Sequence, residues 1–144
     1  MATSAVHAQG TFLQKGDGGT PEVFTTIAEV LSISGPSLDS DQIDVTHQSG
    51  TGRFRDYIQG LKDGGEITFE INYIPGNATH NATTGLLSNY NDGLARNFRI
   101  RFPVTPAVDW VVSAFVKSFQ PSSDVAEQLK ASITLKVLGQ PTLA

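Results

Sequence analysis

Three histidines, His7, His47 and His80, are the side chains best suited to acid–base or metal chemistry in this sequence. Such chemistry needs a second ligand or a proton-transfer partner at helical or hairpin spacing, and none of the three has one. His7 falls in a polar leading stretch, His47 at a strand end and His80 at a helix start, where a polar ring is expected to be solvated. The run Asp39-Ser40-Asp41-Gln42-Ile43-Asp44 has the oxygen density of a calcium loop. It lacks the central glycine and closing glutamate of an EF-hand, so a solvated turn before a strand is expected. Gly16-Asp17-Gly18-Gly19-Thr20 is glycine-rich like a phosphate cradle, yet no lysine follows and no strand-to-helix frame surrounds it. Asn77-Ala78-Thr79 and Asn81-Ala82-Thr83 fit the glycosylation sequon and read better as helix-capping residues. With no cysteine there is no disulfide, thiolate ligand or cysteine nucleophile. The sequence therefore predicts no catalytic residue, no cofactor, no metal site and no enzyme.

The elements that would carry these residues are mostly strands. At 144 residues, 39% hydrophobic and 17% charged, the chain suits one folded domain. A domain of this size buries roughly 70% of the surface its unfolded chain exposes. The formal charge of −4 is dispersed and disfavours tight binding to phosphates. The start shows no basic region followed by an apolar segment, so synthesis in the cytoplasm is expected. The most apolar stretch, Ala107 to Val116, is far shorter than the ~20 residues that cross a bilayer.

Residues 1–22 are polar and glycine-rich and are expected to be a flexible arm, with 23–144 as a single β-domain. Val23 to Ser34 reads as one strand ended by Gly35-Pro36, and Gln42 to Thr46 as a short one. Residues 48–65 form a long, glycine-flanked loop. Glu66 to Tyr73 alternates cleanly, with Ile67, Phe69, Ile71 and Tyr73 on one face and Glu66, Thr68, Glu70 and Asn72 on the other. The one helix is expected over about 79–91, capped by Thr79 or Asn81 and closed at Gly93. Asn97 to Phe102, Trp110 to Phe119 and Gln128 to Leu138 complete the strands. This pattern predicts an all-β fold, a β-sandwich or partly closed barrel with one short flanking α-helix.

Within the long loop, Arg53-Phe54-Arg55-Asp56-Tyr57-Ile58 places aromatic and aliphatic groups between glycines. Either they fold back and cap the domain, or they form a contact with another chain. Arg, Phe and Tyr are enriched where proteins meet, which favours the contact.

The order of these signals resembles the tail tube proteins of siphophages, the lambda-like phages with long non-contractile tails. The resemblance runs through Gly18-Gly19-Thr20-Pro21-Glu22, Ile27-Ala28-Glu29-Val30, Ile33-Ser34-Gly35-Pro36-Ser37-Leu38, Ile43-Asp44-Val45-Thr46 and Gly60-Leu61-Lys62-Asp63-Gly64-Gly65-Glu66. It continues in Asn97-Phe98-Arg99-Ile100, Phe102-Pro103, Phe119-Gln120-Pro121 and Ala131-Ser132-Ile133-Thr134-Leu135-Lys136-Val137, closing on Gly139-Gln140-Pro141-Thr142-Leu143. Nearly the whole chain takes part.

The resemblance implies a structural subunit of the virion tail that forms hexameric rings, stacked into a tube through which the genome passes without tight binding. The implied partners are further copies of itself, a tail-tip initiator complex, a tape measure protein and a tail terminator, with no membrane. Residues 53–58 are then the expected inter-ring or inter-subunit loop. A bore that repels phosphates makes Glu66, Thr68, Glu70 and Asn72 the candidate lumen face, although alternation alone leaves open which polar face looks inward. The competing reading is a ligand- or carbohydrate-binding β-sandwich, for which one Trp and three Tyr are a poor stacking platform.

Overall fold

The computed structural model describes residues 3–49 and 52–143. Met1, Ala2, Gly50, Thr51 and Ala144, which belong to the expected arm, loop and domain end, lie outside the described residues. Nine strands and one helix follow in order: β1 Phe12–Gly16, β2 Phe24–Thr26, β3 Val30–Ser34, β4 Asp39–Asp44, β5 Tyr57–Asp63, β6 Glu66–Asn72, α1 Leu86–Asp92, β7 Arg96–Phe102, β8 Val108–Ser122 and β9 Lys130–Thr142.

Where one face of a strand is buried, period-2 alternation in the sequence maps directly onto the core. Ile67, Phe69 and Ile71 of β6, Phe98 and Ile100 of β7, and Ala131, Ile133, Leu135 and Val137 of β9 all point inward. Leu86 of α1 joins them, and the helix packs on β8. Seven strands make one antiparallel sheet in the order β2-β1-β7-β8-β9-β6-β3, while β4 and β5 form a separate hairpin.

The two edge strands of that sheet, β2 and β3, are consecutive in sequence and joined only by Ile27, Ala28 and Glu29. Four Cα steps reach no further than about 14 Å. In a flat seven-stranded sheet the edges would stand about 29 Å apart. The sheet must therefore curl until its edges nearly meet, forming a partly closed barrel around the core.

Every residue of this crossover is tied down. The Ile27 N–H donates to Leu13 O at 2.9 Å, and Glu29 O accepts the Asn72 N–H at 2.9 Å, so one end is held to β1 and the other to β6. The Ala28 N–H donates to Thr79 Oγ1 at 3.2 Å. Ala28 O lies 2.8 Å from His80 Nε2, and the Ile74 N–H donates to His80 Nδ1 at 3.2 Å. The tautomer with its proton on Nε2 satisfies both partners at once. His80 is fully buried, which corrects the expectation of a solvated ring.

Four other expectations differ from the structure. The stretch expected as an arm contains β1, paired with both β2 and β7 and carrying the fully buried Leu13. Val23 to Ser34 is two strands, because Glu29 turns the chain with φ 58°. The loop expected over 48–65 includes β5, paired with β4. The helix begins only at Leu86, because Asn81 Oδ1 accepts the N–H groups of Thr83, Thr84 and Gly85 in a local turn that competes with helix. At its far end Gly93 takes the left-handed conformation as expected, its N–H donating to Asn89 O.

Candidate assembly surfaces

The β4–β5 hairpin grows out of the β3–β6 ladder. Ser34 pairs with Thr68 before the break, Asp39 with Asp63 and Ser40 with Lys62 after it. In each pair the residue numbers sum to the same value, so one antiparallel register runs through both ladders. At the break the ribbon kinks around Gly35 and Gly65, whose φ values are 102° and 70°. A side chain at Gly35 would strike Glu66 O, and one at Gly65 would strike Ser37 O. Both positions thus need glycine for conformation and for the close approach of backbone.

Gly65→Ala is expected to destabilise the protein by at least about 2 kcal/mol, combining the left-handed penalty with the backbone clash. Gly139→Ala, at φ 64° with open space around it, should cost only about 1 kcal/mol. Urea midpoints of the two variants check this; equal losses would remove the argument from close approach.

Beyond the kink the hairpin leaves the barrel, and neither of its faces is covered. Leu61 is 82% exposed and Phe54 78%, with Ile43, Tyr57 and Ile58 each about half exposed. The sequence-predicted group is divided: Arg53 to Asp56 make the hairpin end, whereas Tyr57 and Ile58 start β5 opposite Asp44 and Ile43. Arg53 carries φ 62°, and the Asp56 N–H donates to Thr46 Oγ1 at 2.9 Å, closing the hairpin. None of these side chains folds back onto the core.

Glu66, Thr68, Glu70 and Asn72 share the face of β6 opposite the core. Their direct partners on β9 are Lys136, Thr134, Ser132 and Lys130, and Ser34 and Ser32 of β3 face Thr68 and Glu70. Five hydroxyl side chains share this surface with four charged ones and Asn72. A bulge between Val116 and Ser118 brings in Lys117, whose Nζ sits 2.6 Å from Glu66 Oε1. That hydrogen bond holds the Glu66 carboxyl below its ordinary range. Lys136 lies 3.5 Å from Asp63, so Glu70 is the acid of this set with no cationic partner among the described residues.

Other carboxylates are held below their ordinary range in the same way. Asp17 accepts the N–H groups of Gly19 and Val23, Asp44 the Thr46 hydroxyl, Asp63 the Gly65 N–H and Asp92 the Leu94 N–H, and Asp109 pairs with Arg101 at 2.9 Å. The unfolded chain therefore binds protons before the folded one does. Stability should be complete above the ordinary carboxylate range of about pH 4 and fall as pH drops through the lowered folded values. Denaturant midpoints measured from pH 7 down to pH 3 test it, and a flat profile would be the contrary result.

Among the described residues no cluster of His, Asp or Glu could hold a metal ion, and none of the helices is long and apolar enough to cross a membrane. Asp39–Asp44, considered for calcium, is a strand rather than a turn. Sequence reasoning missed His80 and β1 as structural determinants. Nothing local marks His80, whose partner Ala28 lies 52 residues away.

The family model for the lambda phage tail tube protein matches residues 12–144. The chain belongs to that family. It is a structural subunit of a bacteriophage tail tube, and the sugar-binding alternative is not favoured. No curated protein matches the chain in sequence. Among solved structures, the tail of an empty gene transfer agent particle, refined with C6 symmetry, is similar at 16% identity and a TM-score of 0.76, covering 97% of this chain and 99% of that one. The sheath/tube terminator structure of an extracellular contractile injection system is similar at 17% identity and 0.73, covering 100% and 99%. The SPP1 tail tube is similar at 15% identity and 0.68, covering 97% and 80%. At such identities the likeness is one of fold.

Proposed function

We propose that six copies of the chain close into a ring and that rings stack into a tube conducting the genome into the host. The observation that carries this reading is the β4–β5 hairpin, which exposes apolar side chains on both faces. A two-stranded hairpin is marginal alone in water, and an apolar surface of this kind calls for a partner. The C6 symmetry of the gene transfer agent tail supplies the ring number. Residues 53–58 make inter-ring or inter-subunit contacts, while the hydroxyl-rich face with Glu66, Thr68, Glu70 and Asn72 lines the bore. Phosphates then meet hydroxyls, ion pairs that offset each other and the uncompensated Glu70, a surface on which DNA slides without sticking.

Tail-tip initiator, tape measure protein and terminator are the partners this reading requires, after synthesis in the host cytoplasm. Electron microscopy of the concentrated protein, alone and with initiator, tests the tube. Hexameric rings in stacks are expected; permanent monomers in both samples would overturn the reading. Amide exchange adds a local test, since Arg53–Ile58 should gain protection on assembly, and equal protection in monomer and tube would rule out their place in the contact.

A further inference from the structure

A bulge puts one lysine on the polar face of β6 and β9 without a cross-strand partner of its own. Val116 pairs with Leu135 and Ser118 with Thr134, so Lys117 is the extra residue between them. Its ammonium reaches over β9 to meet Glu66 of β6 at 2.6 Å. Lys136 of β9 stands directly opposite Glu66 in the ladder. The Lys117 hydrogen bond, and after it the charges of Lys117 and Lys136, hold the Glu66 carboxyl below its ordinary range. Two ammonium groups from neighbouring strands therefore act on one carboxylate.

The other charges around this pair are already engaged or stand apart from it. Asp63 lies 3.5 Å from Lys136 and accepts the Gly65 N–H, and Asp39 is opposite Asp63 across the hairpin. Lys62 pairs with Ser40, one step along and on the alternate face of that ribbon. Toward the far end of the polar face Lys130 has Glu127 at 3.6 Å, with Glu29 beside Asn72 and Asp124 beyond Ser122. Among the described residues each lysine of this face thus has a carboxylate at ion-pair distance, and for Lys117 it is Glu66 alone. The Lys117 and Glu66 side chains are 54% and 39% exposed, and a pair so open to water adds little to stability. Its effect lies in what the surface offers to a charged neighbour.

We propose that Glu66 is a resident anion, filling a site on Lys117 beside Lys136 that would otherwise take a phosphate of the passing DNA. Carboxylate and phosphate oxygens make the same charge-assisted hydrogen bond to an ammonium group, so one excludes the other. DNA is held mainly because lysines that neutralise its phosphates release its counterions. With Glu66 upon it, Lys117 neutralises no phosphate and that driving force is absent. The mask rests on the reading of this face as the bore, and it makes the placement of the acids count for more than their number. Around a ring an unmasked lysine recurs in every subunit, so even a weak hold on each phosphate would add up to a brake.

Removing one negative charge from either of two places on β6 tests it. Tubes are assembled with short linear duplex DNA present and washed at low salt, and the retained DNA is measured. Glu66→Gln strips Lys117 of its carboxylate and should raise retention about tenfold or more over the parent, a gain that added salt abolishes. Glu70→Gln removes the same charge from the same face but uncovers no lysine, and should raise retention no more than about threefold. Glu66→Gln combined with Lys117→Gln should fall back to that lower level. Parent-like retention by Glu66→Gln, equal gains from the Glu66 and Glu70 variants, or a gain that survives the loss of Lys117 would each overturn the mask. Nuclease added after assembly separates the two readings: protected DNA supports both, whereas retained DNA that is digested lies on the outer wall, which overturns the bore and leaves the mask. If the parent or Glu66→Gln forms no tubes with initiator, the three variants are compared as single subunits on immobilised duplex DNA, where the same order of retention decides the mask; failure of the parent overturns the stacked-ring reading by itself.

Discussion

A His80→Phe variant is expected to unfold with a stability lower by about 2–5 kcal/mol while keeping the same fold. Phenylalanine fills the volume but offers neither the acceptor that takes the Ile74 N–H nor the donor that reaches Ala28 O. A polar group orphaned out of reach of water costs about 1–3 kcal/mol, and here two part-buried groups lose their partner on a fully buried ring together. The loss falls where β2 crosses to β3, on a crossover also held by Leu13, Thr79 and Asn72. Amide protection at Ile74 should therefore fall more than in the β8–β9 ladder. Chemical denaturation measures the total and hydrogen exchange its location. A loss below about 0.5 kcal/mol, the range of ordinary surface changes, would show that the ring is a filler rather than a latch.

The second large effect is on assembly. Phe54→Ala and Tyr57→Ala should leave melting temperature within a few degrees of the parent and sharply reduce polymerisation, because both side chains are mainly exposed in the single chain. An aromatic anchor in an interface is commonly worth about 2 kcal/mol or more, roughly a thirtyfold change in affinity for each contact. Repeated around a ring, that loss compounds. Sedimentation and microscopy at matched concentrations read the outcome. Normal tubes from both variants would remove residues 53–58 from the contact, and a collapsed melting temperature would mean that they serve the fold instead.

Legibility in the sequence followed burial. Alternation is a record of one wet and one dry face, so β6, β7 and β9 could be read from Ile67-Phe69-Ile71, Phe98-Ile100 and Ala131-Ile133-Leu135-Val137. β5 has no dry face within one chain, and its residues gave no pattern to read. β1 escaped for another reason. It is five residues long, with Leu13 its single buried apolar side chain; its other buried positions are Gln14 and Gly16, so no alternation marks the dry face. The group at residues 53–58 was visible because its chemistry was out of place between glycines. The family signature lay in the order of many weak words, each tied to a turn or strand of the barrel.

β1 also has a consequence for how the chain reaches its native state. Its partner β2 is made at once, yet its interior place in the sheet depends on β7, where Phe12 meets Arg101 and Lys15 meets Phe98. β1 thus waits for a further eighty or so residues, more than half of the 144, before its second ladder can form. Such distant pairings dominate slow β-folding, and they set an order: β8 and β9 can zip locally, whereas the amino-terminal strand docks late and completes the barrel. A chain cut short before β7 therefore leaves β1 with one ladder in place of two and its sheet unfinished.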